Sequence, residues 1–329
     1  MHEQIVPGLY RIEVPLPGSA LRATNCYVVK GEERDLIIDT GWNRADCMAA
    51  LVSGLKECSV DLERADFFVT HMHADHLGLV PALARNGAKV YCGKVEPGFF
   101  QSTFSQYWAK RSDFARRHGF CEQELRKVAT SHPGHRYGAN TLLDLCVLRE
   151  GEVISVGDYL FQCIETPGHT QEHVCLYESK RKILVSGDHL LVDITPNISL
   201  WSEEWDALKE YLNSLDKVEN LEVEIVLPGH RRVFNNHRER IEELKQHHER
   251  RLGEIVGILR RGKQTAFQIA RQMTWDVEYG CWDSFPPSQK WFAFGEALAH
   301  LRYLEEMNKV GMEETREQRV VFFLEDYHV

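Results

Sequence analysis

Along the first two-thirds of the chain, short apolar and β-branched runs alternate with stretches in which apolar residues recur every three to four positions. Residues 5–15, 25–29 (NCYVV) and 35–39 (DLIID) read as strands, the last closing on the turn Asp39-Thr40-Gly41. A helix is expected over 45–58 and a buried strand over 65–70. That strand runs straight into His71-Met72-His73-Ala74-Asp75-His76, after which 77–85 resumes a helical pattern and 89–92 is a strand again. From 142 to 195 the pattern is mostly β, with strands over 153–164, 174–177 and 183–186. A helix over 202–218, capped by Ser202, and a strand over 223–227 follow.

Two segments break the alternation. Residues 95–140 are helical and hold eight aromatics, Phe99, Phe100, Phe104, Tyr107, Trp108, Phe114, Phe120 and Tyr137, expected to form mostly the small core of the segment itself. Residues 235–329 read as three helices (238–261, 265–273, 288–308) and two short strands, the order of a winged-helix domain. The expected division is a catalytic domain over 1–234, with 95–140 inserted into it, and a winged-helix-like domain over 235–329.

Composition narrows the classes. The chain has 329 residues, 43% hydrophobic and 27% charged, which excludes fibrous and disordered readings. No apolar run reaches the roughly 18 residues of a membrane helix, and the start Met1-His2-Glu3-Gln4 lacks a signal-peptide pattern, so a soluble, cytoplasmic protein with no membrane partner is expected. Nine scattered cysteines without a Cys-x-x-Cys pair favour free thiols in a reducing compartment. The net charge of −10 argues against a nucleic-acid-coated protein, yet 95–140 carries seven Lys/Arg against four acids. Residues 235–329 carry 14 Lys/Arg against 16 acids, so packing or a homodimer contact is favoured there over nucleic-acid binding.

The chemistry concentrates in the histidines. His-x-His-x-Asp-His at a strand end places four metal-capable side chains on one loop, where alternate residues can converge. One loop cannot complete two metal sites, and further candidates follow other β-rich runs after glycine turns. These are Pro167-Gly168-His169, Ser186-Gly187-Asp188 and Pro228-Gly229-His230. Asp39 is expected to orient a ligand imidazole through a hydrogen bond. His173 reads as a strand histidine with a partner, and His189 as structural. Lys110, Arg111, Arg116 and Arg117 are candidates to meet an anionic substrate, and His135 to touch it.

The ordered series HMHADH, His169, Asp188 and His230, with Asp39-Thr40-Gly41, resembles the signature of the metallo-β-lactamase superfamily over about residues 1–235. The resemblance implies an α/β fold, the αββα sandwich, here with a helical insertion lying over the site as a lid, plus the C-terminal winged-helix-like domain. It assigns His71, His73 and His169 to one metal and Asp75, His76 and His230 to a second, with Asp188 bridging. Two divalent ions, zinc first and iron or manganese as alternatives, would share a bridging hydroxide and make the chain a hydrolase, with Asp75 also accepting a proton.

Within the superfamily, the principal zinc β-lactamases carry Cys or a non-bridging residue where Asp188 stands. Homoserine-lactone hydrolases place Tyr where Leu191 stands here. Glyoxalase II and other thioester hydrolases share all seven ligands, as do phosphodiesterases. The C-terminal pattern resembles the subgroup that includes the lactamase-like endoribonuclease. The favoured reading is hydrolysis of a thioester or similar acyl small molecule with an anionic moiety. A phosphodiesterase or single-strand ribonuclease is the alternative, and an iron-dependent dioxygenase or a catalytically silent metal-binding protein the third.

Overall fold

The computed structural model describes residues 2–95, 104–138, 143–276 and 280–325. Phe99 and Phe100, and the side chains of Phe104 and Tyr107, lie outside the described residues. The chain divides into two compact units. The first comprises residues 1–101, 136–196 and 214–241, and the second 102–135, 197–213 and 242–329.

The first unit is built on two sheets. One has seven strands in sequential order: β1 (His2–Val6), β2 (Leu9–Pro15), β3 (Ala23–Val29), β4 (Asp35–Ile38), β5 (Ala65–Val69), β6 (Val90–Cys92) and β7 (Leu145–Val147). The expected strand over 5–15 is two strands, because Gly8 at φ +77° turns the chain between them. The other sheet has the order β12-β11-β10-β9-β8, from β8 (Val153–Val156), β9 (Tyr159–Glu165), β10 (Val174–Glu178), β11 (Ile183–Gly187) and β12 (Ile225–Pro228).

Alternation along the strands sends side chains to two cores. Leu36, Ile38 and Phe68 face the second sheet and pack with Phe161, Cys163, Leu176, Val185 and Leu227. Ile37, Phe67 and Val69 face the other way and pack with Cys47, Leu51 and Leu55 of α1 (Ala45–Glu57) and with Val80 and Leu83 of α3 (Val80–Leu83). Sheet on sheet with a helix layer against the first sheet is the metallo-β-lactamase architecture, the α/β class expected from the sequence.

Strand direction gathers the motif loops. β4 and β5 are parallel, so Asp39 and the His71–His76 loop leave the same edge of the first sheet. β10 runs antiparallel to both β9 and β11, and β11 is parallel to β12. β9, β11 and β12 therefore point one way, and His169, Asp188 and His230 follow their carboxyl ends. The helix expected over 77–85 is instead two single turns, α2 (Ala74–Leu77) and α3. Between them Gly78 packs so closely on the carbonyls of Ala74 and Gly41 that no side chain fits.

The second unit contains α4 (Phe104–Arg117), α5 (Glu122–Ser131), α9 (Ala266–Ala270), α10 (Pro287–Glu306) and a hairpin of β13 (Val310–Glu314) with β14 (Val320–Leu324). α6 (Pro133–Tyr137), α7 (Ala207–Glu219) and α8 (His237–Leu259) complete the chain. α7 starts five residues after the expected Ser202 cap, because Asp206 accepts the Lys209 N–H at 3.0 Å and opens the helix there. α9 is shorter than the pattern suggests, and a capping box between Thr265 and Gln268 sets its start.

Trp108 and Phe120, two of the insertion's described aromatics, do not pack in a core confined to the insertion. Phe120 packs edge-on against Phe267, Trp291 and Phe294, and Trp108 packs against Trp291, which in turn stacks on Trp201 at 4.0 Å. Two helices of mean polar character bury too little apolar surface by themselves. They group with 197–213 and 242–329, a division different from one drawn at residue 234.

Candidate metal centre

All seven candidate ligand side chains fall into three overlapping groups, and within each group the ligand atoms lie within 4.8 Å of one another. The groups are His71, His73 and His169; His71, His76 and Asp188; and Asp75, His76 and His230. Loops from both sheets of the first unit therefore converge, and several of the side chains are held from behind.

Asp39 is the anchor for two of them. Its Oδ1 accepts the Thr70 N–H at 2.9 Å, and its Oδ2 accepts both the Thr70 hydroxyl and His76 Nδ1–H at 2.8 Å. A carboxylate can only accept, so the proton of His76 sits on Nδ1 and the lone pair of Nε2 faces the centre. Because the Thr70 hydroxyl donates to Asp39, it accepts from His71 Nδ1–H at 3.1 Å, which leaves Nε2 of His71 facing inward as well. His230 gives its Nδ1–H to the carbonyl of Ala23 at 2.7 Å, with the same outcome.

Nε2 of His71 and Nε2 of His169 each lie 3.0 Å from Nδ1 of His73. A tetrahedral ion with metal–nitrogen bonds of about 2.0–2.1 Å sets ligand nitrogens about 3.3 Å apart, close to this spacing. Asp188 lies toward both groups. Its Oδ1 is 3.6 Å from His76 Nε2, while Oδ2 is 3.4 Å from His230 Nε2 and 3.6 Å from His169 Nε2. Asp75 Oδ2 stands 3.5 Å from His230 Nε2.

The donor set fits divalent cations. Nε2 of His76, Nε2 of His230 and Oδ1 of Asp188 are buried without a hydrogen-bond partner, a costly arrangement that cations at their centre would relieve. Electrostatics agree. Burial works against the Asp188 carboxylate, yet the imidazoles of His230 and His76 outweigh it and hold the group well below the usual carboxylate range. Burial, reinforced by its histidine neighbours, keeps His71 neutral. For His76 and His230 burial opposes protonation, but the adjacent carboxylates, Asp39 and Asp188 for the first and Asp188 for the second, push both upward, so they favour a positive charge at the two Nε2 atoms, the charge a bound cation would supply to the neutral rings.

Two glycines permit this closeness. A Cβ on Gly229 would strike Asp188 Oδ1 and approach Cε1 of His76 to 2.9 Å. Gly187, at φ +48°, would bring a Cβ within 2.7 Å of His173 Nε2.

Sequence reading alone missed Thr70 and the Ala23 carbonyl as supports of the centre. Thr70 had one available signal, its place between a buried strand and the first histidine. His173 is fully buried, donates Nδ1–H to Thr166 Oγ1 at 2.8 Å and accepts the Asp188 N–H at Nε2, 3.2 Å away. His189 is also fully buried, which drives its imidazole down to about 3.

The basic candidates belong to the second unit. Arg116 pairs with Glu122 at 2.8 Å, Arg117 pairs with Glu203 at 3.1 Å, and the Arg111 guanidinium lies 5.6 Å over the Trp201 ring. Lys110 is exposed and has no acid partner among the described residues. His135 is exposed at the surface of that unit and gives its backbone N–H to the His132 carbonyl at 3.0 Å.

The sequence profile of the metallo-beta-lactamase superfamily matches residues 20–230, and the chain belongs to that superfamily of hydrolases. It is 28% identical over 254 residues to the acyl-coenzyme A thioesterase MBLAC2 of Homo sapiens, covering 72% of this chain and 83% of that one. It is 25% identical over 266 residues to the atrochrysone carboxyl ACP thioesterase of Aspergillus fumigatus, covering 79% and 68%. The crystal structure of a metallo-beta-lactamase family protein from Thermus thermophilus superposes with a TM-score of 0.81 at 28% identity, over 98% of this chain and 100% of that one. Among the described residues, no helix is long and apolar enough to cross a membrane.

Proposed function

We propose that the chain is a dinuclear metal-dependent hydrolase of acyl thioesters whose acyl carrier is anionic, of the acyl-coenzyme A or acyl-carrier-protein kind. The observation that carries the two-metal part is Asp188, whose two oxygens face imidazoles of both ligand groups at 3.4–3.6 Å. The thioester part is supported by the names of the two thioesterase relatives.

His71, His73 and His169 would hold one ion, Asp75, His76 and His230 the other, and Asp188 both. Imidazole and carboxylate donors suit zinc, and iron or manganese would also be accepted. When bound, such a pair supplies a water acidified to near neutrality and a Lewis acid for the substrate carbonyl. Asp75, partly open to solvent at its side chain, takes up the proton released in the attack. A thiol has a pKa of about 8.5, so the leaving thiolate departs without a dedicated acid, and none of the site's imidazoles has to provide one. Lys110, Arg111, Arg116, Arg117 and His135 are proposed for the anionic part of the substrate, with Lys110 first because it is exposed while Arg116 and Arg117 already meet carboxylates.

The test is turnover of a panel of acyl-coenzyme A esters by purified protein, read by thiol release, in parallel with bis-p-nitrophenyl phosphate and single-stranded RNA. Thioester cleavage that disappears in Asp188→Ala supports the proposal. Cleavage of phosphodiesters alone overturns it.

A further inference from the structure

We propose that His173 is a positioning residue that fixes the backbone carrying Asp188, and so sets where the carboxylate between the two ligand groups sits. The inference rests on the two-metal reading above and adds a specific role for a side chain outside the ligand set.

The geometry is directional. The Asp188 N–H reaches His173 Nε2 at 3.2 Å, so that nitrogen is the acceptor, and the ring proton on Nδ1 goes to Thr166 Oγ1 at 2.8 Å. His173 thus spans two motif loops, the 166–169 turn that carries His169 and the 186–188 turn that carries Asp188. Its main chain joins them too, because Thr166 N–H donates to the His173 carbonyl at 2.9 Å, and the next residue, Val174, donates to the Thr70 carbonyl at 3.0 Å.

The contact is tight as well as polar. The imidazole edge lies 2.7 Å from where a Cβ on Gly187 would stand, too close for a side chain, so ring and turn fit only with glycine there. From Gly187 the fixation passes onward, since its carbonyl accepts Gly229 N–H at 2.8 Å, one residue before His230. Cys175 Sγ, in contact with Thr166 Oγ1 at 3.3 Å, closes the network on the Ser186 carbonyl at 3.6 Å. Two motif loops therefore meet on one fully buried ring, and the Gly229 turn joins them through Gly187. With Asp188 3.4–3.6 Å from three imidazoles, a displacement of its backbone by a fraction of an ångström changes which nitrogens it can share an ion with.

Two conservative substitutions separate this role from packing. The amide of Gln reaches the place of Nε2 and can accept the Asp188 N–H, whereas the amide of Asn reaches only the place of Nδ1 and keeps the Thr166 contact. Zinc affinity of the metal-stripped full chain is measured by competition with a chromophoric chelator for wild type, His173→Gln and His173→Asn. Hydrogen exchange over residues 183–192 is followed in the same metal-free proteins.

The expected result is a loss of about 10–100-fold in affinity for at least one ion in His173→Asn, the range for partners behind a ligand, with His173→Gln within about threefold of wild type. Faster exchange at Asp188 is expected in the Asn variant only. Equal behaviour of the two variants, on both readouts, overturns the proposal. A wild type that takes up a single ion would retire the two-metal reading instead, and the contrast between Gln and Asn, read on that ion and on exchange, would still decide for or against His173.

Discussion

His76 Nδ1–H lies 2.8 Å from Asp39 Oδ2, both side chains buried, and this contact fixes which imidazole nitrogen faces the centre. Asp39 precedes the histidine by 37 residues and sits on a different strand end, so the bond also ties β4 to the metal loop. Replacing Asp39 with Asn keeps the shape but offers His76 a weaker acceptor and presents an N–H₂ to one of its three donors. Zinc affinity in Asp39→Asn is expected to fall about 10–100-fold, with kcat falling in parallel. Chelator competition and thioester turnover check this, and an unchanged affinity would show that His76 needs no orientation from Asp39.

Gly229 makes a different prediction. Its φ is ordinary for any residue, yet a Cβ there collides with the Asp188 carboxylate and presses on His76. Gly229→Ala is expected to lose tight binding of at least one ion while unfolding near the wild-type temperature when both are metal-free. A variant that keeps both ions would show that the carboxylate has room to move.

The charged residues of the helical insertion separate into two groups. Lys110→Gln is expected to raise KM for an acyl-coenzyme A substrate and to reduce its dependence on salt, because that exposed charge is assigned to the substrate. Arg116→Gln is expected to leave KM within about twofold, since its guanidinium is already held by Glu122 at 2.8 Å. The opposite ranking would move the anion site to Arg116 and Arg117.

Acid should weaken the second unit through a buried histidine pair. His300 Nδ1–H donates to the Glu296 carbonyl at 2.7 Å, so its Nε2 accepts from His248 Nδ1–H at 3.0 Å, an arrangement that requires the His300 ring to be neutral. Burial lowers both, His300 to about 3, and the His300 and His247 rings and then the Arg251 guanidinium add to the effect on His248. Folded values below the unfolded value of about 6.5 mean that the unfolded chain binds more protons in acid. Their contribution is complete above pH 6.5 and declines by up to about 1.4 kcal/mol per histidine for each pH unit below it. Denaturant unfolding between about pH 6.5 and 5 should show a slope shallower by about one proton in His300→Asn. An identical slope would mean that the pair is protonated in the folded state.

Much of the candidate centre was legible because the candidate ligands sit in short motifs at strand ends. His71, His73, Asp75 and His76 share one loop, and each Pro-Gly-His or Ser-Gly-Asp turn follows an apolar run, so local pattern and function coincide. The α/β sandwich followed from the resemblance those motifs carry, while the apolar runs at 35–39 and 65–70 marked buried strands without showing how the sheets stack. What supports the ligands was less legible. Thr70, His173 and the Ala23 carbonyl act across strands, and register between strands distant in sequence leaves no local mark. The partner of the insertion was hidden likewise, because Phe120 finds Phe267 and Phe294 far along the chain. Boundaries shifted where a single residue overrode periodicity, as Gly8 did between β1 and β2 and Asp206 at the start of α7.

The central claim, a two-metal thioester hydrolase, is tested most directly by titrating metal-stripped protein with zinc while thiol release from an acyl-coenzyme A ester is recorded. Activity that saturates at two equivalents per chain is the predicted result. Full activity at one equivalent, or no thiol release at any zinc concentration, would contradict it.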